Sequence, residues 1–160
     1  MKEIRKVLRR HAGESKSTGR FVPTAKKYYG VKVSLLNELA KRYSYAGFEL
    51  VEKLWRSGVL EEQLLAAKIL GRVCNKNPER TLKLIKKLAK SIDNWAVCDT
   101  LATQGIRRIA KLKEKEILKL SKSLIKSKNP WKRRLAIVLL INLANEPRAR
   151  SMILEILKQV

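Results

Sequence analysis

The chain has 160 residues, enough for one continuous core, and 45% of them are hydrophobic, an ordinary share for a folded protein. Lys and Arg number 37 against 14 Asp and Glu, a formal net charge of +23 that draws polyanions to the surface. Nucleic acid is therefore the leading partner, ahead of an acidic membrane surface, and the longest apolar run, Leu135–Ile141, is too short to span a bilayer.

Along the chain the apolar period is helical almost throughout. Residues 1–24 read as an N-terminal helix, frayed near His11, then a loop over 13–24; no apolar stretch of a secretory leader is present. Lys26-Lys27-Tyr28-Tyr29-Gly-Val-Lys32 follows, two tyrosines among lysines. It can touch a sugar–phosphate backbone through Lys27, Tyr28, Tyr29 and Lys32, or its tyrosines can pack the loop onto the first hairpin. Leu35, Leu36, Leu39 and Ala40 mark one helix, and Phe48, Val51, Leu54 and Trp55 the next. Leu64, Leu65, Ile69 and Leu70 mark a third, closed by Cys74, and Pro78 opens the helix carrying Leu82, Ile85, Leu88 and Ala89. Asp93 is placed as the N-cap of a helix with Trp95 and Asp99, after which a short helical turn covers Ile106–Ala110. Ile117, Leu120, Leu124 and Ile125 define another helix, Lys128-Asn-Pro130 opens one over Trp131–Ala144, and Glu146-Pro147 starts the last.

The spacing predicts an all-α domain over 1–160, with hairpins at 33–57, 60–90, 94–127 and 130–160. The helix-opening pairs Asn94-Trp95 and Pro130-Trp131 stand 36 residues apart, a period near that of HEAT repeats. Stacking such hairpins gives a right-handed α-solenoid of about four repeats with a concave basic face; a helical bundle is the alternative.

Little is available for metal or hydrolase chemistry. Cys74 and Cys98 are the only cysteines and His11 the only histidine, so neither a zinc set nor a histidine-based triad can be assembled, and no metal or cofactor is expected. What stands out is Asp99, one of two aspartates. It is the only acid between Asn94 and Lys113, and four residues after Trp95 it shares that residue's helix face. From Arg107 to Arg134 there are twelve Lys or Arg residues against Glu114 and Glu116. Arg107, Arg108, Trp131, Lys132 and Arg133 are the candidate DNA contacts from this stretch. Arg134 lies three residues after Trp131, which brings Trp95, Asp99 and Arg134 toward a common surface if equivalent helices stack. A structural ion pair between repeats, with the tryptophans in the core, is the other reading of the same residues.

The string Tyr29-Gly-Val-Lys-Val-Ser-Leu-Leu-Asn-Glu-Leu-Ala40, then Leu54-Trp55 and Glu62-Gln-Leu-Leu-Ala-Ala-Lys-Ile-Leu70, resembles the DNA alkylation repair family of AlkD-like glycosylases. The specific part is Trp95-x-x-x-Asp99 followed one repeat later by Trp131-x-x-Arg134; the resemblance runs over roughly residues 25–145. It implies a cofactor-free glycosylase that excises N3- and N7-alkylated purines from duplex DNA without drawing the base into a pocket. Asp99 would be the catalytic carboxylate, Trp95 would pack on the deoxyribose and Arg134 would hold a phosphate. The protein is expected to act as a monomer in the cytoplasm, on the nucleoid. Two features depart from the family pattern. The chain ends at Val160 with only Trp55, Trp95 and Trp131, so a second clamping tryptophan is missing or supplied otherwise and the chain reads as a C-terminally shortened member. The position before Trp95, often aromatic, is Asn94. A non-catalytic binder of DNA or structured nucleic acid is the alternative function, and a protein-binding HEAT scaffold a third.

Overall fold

Apolar residues at helical spacing, separated by Gly, Asn and Pro, fold here into helices that can bury one face only against each other. The computed structural model describes residues 1–159. The helices are α1 (Lys2–Arg10), α2 (Thr18–Phe21), α3 (Val33–Tyr43), α4 (Gly47–Trp55), α5 (Leu60–Val73), α6 (Pro78–Leu88), α7 (Trp95–Gly105), α8 (Glu114–Ile125), α9 (Pro130–Leu140) and α10 (Arg150–Leu157). There is no strand among the described residues, so the chain is all-α as its periodicity predicts.

The bounds of α3 and α4, α5 and α6, α7 and α8, and α9 and α10 fall inside the four predicted spans, but α4 packs on α5 and α8 on α9, across the predicted hairpins rather than within them. Helix α5 packs against α3, α4 and α7, α7 against α9, and α9 against α8, so α3, α5, α7 and α9 form a continuous row. The composition of α5 explains its place at the centre of that row. It is buried nearly all round: Leu65, Ala66, Ala67, Ile69 and Leu70 are fully enclosed, and even Glu61, Glu62, Gln63 and Lys68 are buried. The core runs unbroken from Ile4 to Ile156. Each fully buried Leu or Ile in it is worth roughly 1.5–3 kcal/mol over an exposed one.

Local boundaries depart from the sequence reading in several places. Asp93 does not cap α7. Asn94 does, its extended backbone letting Oδ1 accept the Val97 N–H at 2.9 Å, while Asp93 accepts from the Asn94 amide at 2.9 Å. Residues 107–113 form turns rather than the helical turn expected at 106–110, with Ile106, Ile109 and Ala110 buried in the core. The loop at 13–24 contains α2. Helix α9 gives way to a 3₁₀ turn, Ile141–Leu143, short of Ala144. Pro147 opens another, Pro147–Ala149, ahead of α10.

The N-terminal segment is clasped to α5 by two buried glutamates. Glu61 accepts the backbone N–H groups of Tyr29 (2.8 Å), Gly30 (2.6 Å) and Val31 (3.4 Å), a turn that Gly30 enters at φ +74°. Glu62 accepts two bonds from the Arg5 guanidinium (3.0 and 3.1 Å) and one from the Tyr29 hydroxyl (2.9 Å). Burial alone would raise the Glu62 carboxyl. The bonds from Arg5 and Tyr29 and the Arg5 charge outweigh it and hold the group below the usual carboxylate range. No helix among the described residues is long and apolar enough to cross a membrane.

Candidate nucleic-acid interface and active site

The start of α7 is built by Asn94, which satisfies an otherwise orphaned N–H and delivers Trp95 as the first helical residue. The Trp95 ring is 41% exposed, and its Nε1–H donates to the Phe21 carbonyl at 2.8 Å. A short helix 74 residues upstream thus fixes the edge of the indole, and the residue is left partly exposed between two hollows. One turn on, Asp99 lies on the same face. Its carboxylate accepts Nε–H of Arg134 at Oδ1 (2.7 Å) and Nη2–H at Oδ2 (2.6 Å), a bidentate pair reaching from α7 to α9. The Asp99 bond in turn raises the pKa of Arg134. The pair is not sealed in: the side chains of Arg134 and Asp99 are 45% and 29% exposed.

Trp95 and Asp99 line a hollow of ≈ 280 Å³ together with Val33 from α3, Leu64 and Lys68 from α5, and Thr103 and Gln104 from α7. One wall is apolar and suits the face of a sugar; the other carries a carboxylate with lone pairs left after the Arg134 bonds. Behind it, the Cys98 thiol is buried and directed at the Trp131 carbonyl (3.6 Å). Burial, with the Asp99 charge adding, pushes that thiol up to about 12, so it cannot serve as a nucleophile.

The other sequence-selected residues divide by surroundings. Tyr29 is engaged with Glu61 and Glu62 in the N-terminal clasp, which is the packing reading of that tyrosine. Tyr28 is exposed and lies against Gly19 of α2; Lys27 and Lys32 are exposed. Trp131 is partly buried against the core, with its N–H bonded to Asn129. Arg133 turns back onto the Ser127 and Lys128 carbonyls, and Lys132 is half-buried. Arg107 and Arg108 border a second hollow of ≈ 390 Å³ with Lys68, Arg72, Asn37 and Gln104. Two residues escaped the sequence reading. Phe21, 65% exposed, lines an apolar hollow with Trp95, and its only signal was being one of two phenylalanines, set in a polar loop. Lys68 is a buried cation whose signal was a lysine interrupting Leu64–Leu70.

The family model described as DNA alkylation repair enzyme matches residues 4–160. The chain belongs to that family. The family thus makes alkylated DNA, a polyanion, the object of repair, and the chain's net charge of +23 has the sign that attracts one. No curated protein and no solved structure gives a match.

Proposed function

We propose that the protein is a DNA glycosylase that hydrolyses the N-glycosidic bond of N3- and N7-alkylated purines in duplex DNA, acting as a monomer and without base flipping. The observation that carries this reading is the joint exposure of Trp95 and Asp99 on one face of α7, with Arg134 brought to them from α9.

An N3- or N7-alkylated purine is already cationic, so the bond to C1′ breaks without a general acid to protonate the base. As the purine leaves as a neutral molecule, positive charge develops on the deoxyribose. A fixed carboxylate at its face stabilises that charge. Water then adds to C1′, its hydroxyl completing the abasic sugar and its proton passing to Asp99 or to solvent. Trp95 offers an indole face to the deoxyribose, and Arg134 keeps the carboxylate aimed while its remaining N–H groups are available to a phosphate oxygen. Asp99 stands at the surface rather than at the end of a closed cavity, which supports an approach from the backbone and avoids the cost of unstacking the base.

A second reading, a non-catalytic sensor of distorted DNA, is favoured by one observation: both Asp99 oxygens are already bonded to Arg134. One assay separates the two. The glycosylase releases 7-methylguanine or 3-methyladenine from alkylated duplex, and Asp99→Asn lowers that release by about 100-fold or more while DNA affinity survives. Binding with the lesions left intact across pH 6–8 rejects the enzyme and leaves the sensor.

A further inference from the structure

The second hollow, between α3, α5 and the turn after α7, differs from the rest of the basic surface. Arg72, Arg107, Arg108 and Lys68 border it, and no acidic residue does. Most lysines here are exposed, as a net charge of +23 would dictate, and exposed cations carry no special meaning. Lys68 is different: it is only 8% exposed, the one buried lysine among the described residues. Its ammonium donates to two neutral oxygens, Asn37 Oδ1 at 2.8 Å and Gln104 Oε1 at 3.3 Å, and forms no ion pair among the described residues. A buried charge without a counter-ion is costly, and an ammonium has three protons, of which these contacts use two. Burial, and then the nearby Arg72 charge, lower its pKa; an anion placed beside it would act in the opposite direction.

The surroundings are already arranged for such an anion. With their oxygens turned to Lys68, Asn37 and Gln104 are left with amide N–H groups that have no partner among the described residues. Arg108 spends one N–H on the Arg72 carbonyl (3.2 Å), while the Arg72 and Arg107 side chains have no partner among the described residues. Gly71 lets the backbone of α5 meet that of α7 at Gln104, since any Cβ there would strike the Gln104 carbonyl. That contact holds the two halves of the hollow in register, so little ordering is left to be done on binding.

We propose that Lys68, Arg72, Arg107 and Arg108, with Asn37 and Gln104, form a site for one backbone phosphate of the DNA strand that crosses the Asp99 face, adjoining the Asp99 hollow through Lys68 and Gln104. Gln104 follows Asp99 by five helical residues, about 7.5 Å along the axis at 1.5 Å per residue. Because ~3.4 Å is only the rise along the duplex axis and the strand's own path is longer, that span covers about one to two nucleotide steps. The site therefore sets register: a phosphate gripped here places a sugar about one to two nucleotides away over Asp99 and Trp95. Only this last step, which sugar is placed, rests on the glycosylase reading.

The test uses the full chain and duplexes with one tetrahydrofuran abasic analogue, in which each neighbouring phosphate in turn is a neutral methylphosphonate. Wild-type protein loses affinity by about tenfold at one phosphate, about one to two steps from the analogue. Lys68→Met and Arg107→Gln lose about as much on the unmodified duplex and nothing further at that position, and the salt slope of Arg107→Gln falls by about 0.9. Arg107 is exposed, so its variant keeps the test valid even if Lys68→Met perturbs the fold. An equal methylphosphonate penalty in wild type and variants, or no distinguished position, overturns the proposal. So does tight binding of inorganic phosphate at the hollow with no coupling to DNA. Base release on alkylated duplex, measured beside it, is independent: its absence rejects the glycosylase while the coupling still reports the phosphate site.

Discussion

Asp99 and Arg134 make the shortest bidentate pair among the described residues, yet exposure keeps it from being a major source of stability. Half-solvated ion pairs contribute on the order of 0–1 kcal/mol. A purely structural pair and a functional one therefore differ in what its loss does. Arg134→Ala is expected to change the unfolding free energy by less than about 1 kcal/mol, read by urea titration, while base release falls by about tenfold or more. Large destabilisation with intact turnover would mark the pair as structural. The neighbouring Cys98 makes a complementary prediction. With its thiol pushed up to about 12 by burial, it stays unmodified by iodoacetamide in the native protein at pH 8 and reacts only on unfolding. Mass spectrometry of the two states checks this.

Three helices that build the candidate site and its support begin at asparagine. Asn77, Asn94 and Asn129 cap α6, α7 and α9, each side-chain oxygen accepting N–H groups of the first turn. At Asn94 the cap is buried and stands directly before Trp95, so the residue that replaces an aromatic of the family pattern has a defined job. Asn94→Ala is expected to cost about 1 kcal/mol or somewhat more in unfolding free energy. Loss of the fixed helix start should also broaden Trp95 fluorescence. The α5–α7 contact depends on Gly71, where added volume meets backbone rather than a movable side chain. Gly71→Ala is expected to destabilise by about 1–3 kcal/mol despite the better helix propensity of alanine, and to weaken DNA binding by opening the Lys68 hollow. A thermal melt beside a binding isotherm tests both effects.

At the scale of the molecule, the N-terminal segment is tied to the helical row through Arg5, Tyr29, Glu61 and Glu62, and α2 of that segment supports the Trp95 ring. Because Glu62 is held below the usual carboxylate range when folded, its contribution is fully present above its unfolded value, near ~4.3. That contribution disappears as pH falls through the folded value, and protonation also adds to a net charge that already repels itself. Stability should therefore drop below about pH 4. Glu62→Gln flattens that acid limb and costs about 1.5–3 kcal/mol at neutral pH, where charged hydrogen bonds are lost. Calorimetry from pH 3 to 7 on both proteins measures the difference.

The helices were legible because burial on one face leaves a 3.6-residue period, and Gly, Asn and Pro punctuate it locally; which helix packs on which was not. The Trp95–Asp99 face was legible for the same reason, since residues four apart on a helix must share a side. The 36-residue spacing of the two tryptophans also pointed Arg134 toward Asp99, and the fork between them is there. Other meetings of distant segments were decided by packing: the Phe21 carbonyl on the Trp95 indole and the amide oxygens around Lys68 join residues 31–74 positions apart. A helical period fixes a face only to within tens of degrees. Which side chains on that face come within hydrogen-bonding range depends on interhelical distance and rotation, and at the α5–α7 crossing those are set by the missing Cβ of Gly71. The same close crossing buries Lys68, a residue that the sequence alone presents as one more lysine among many.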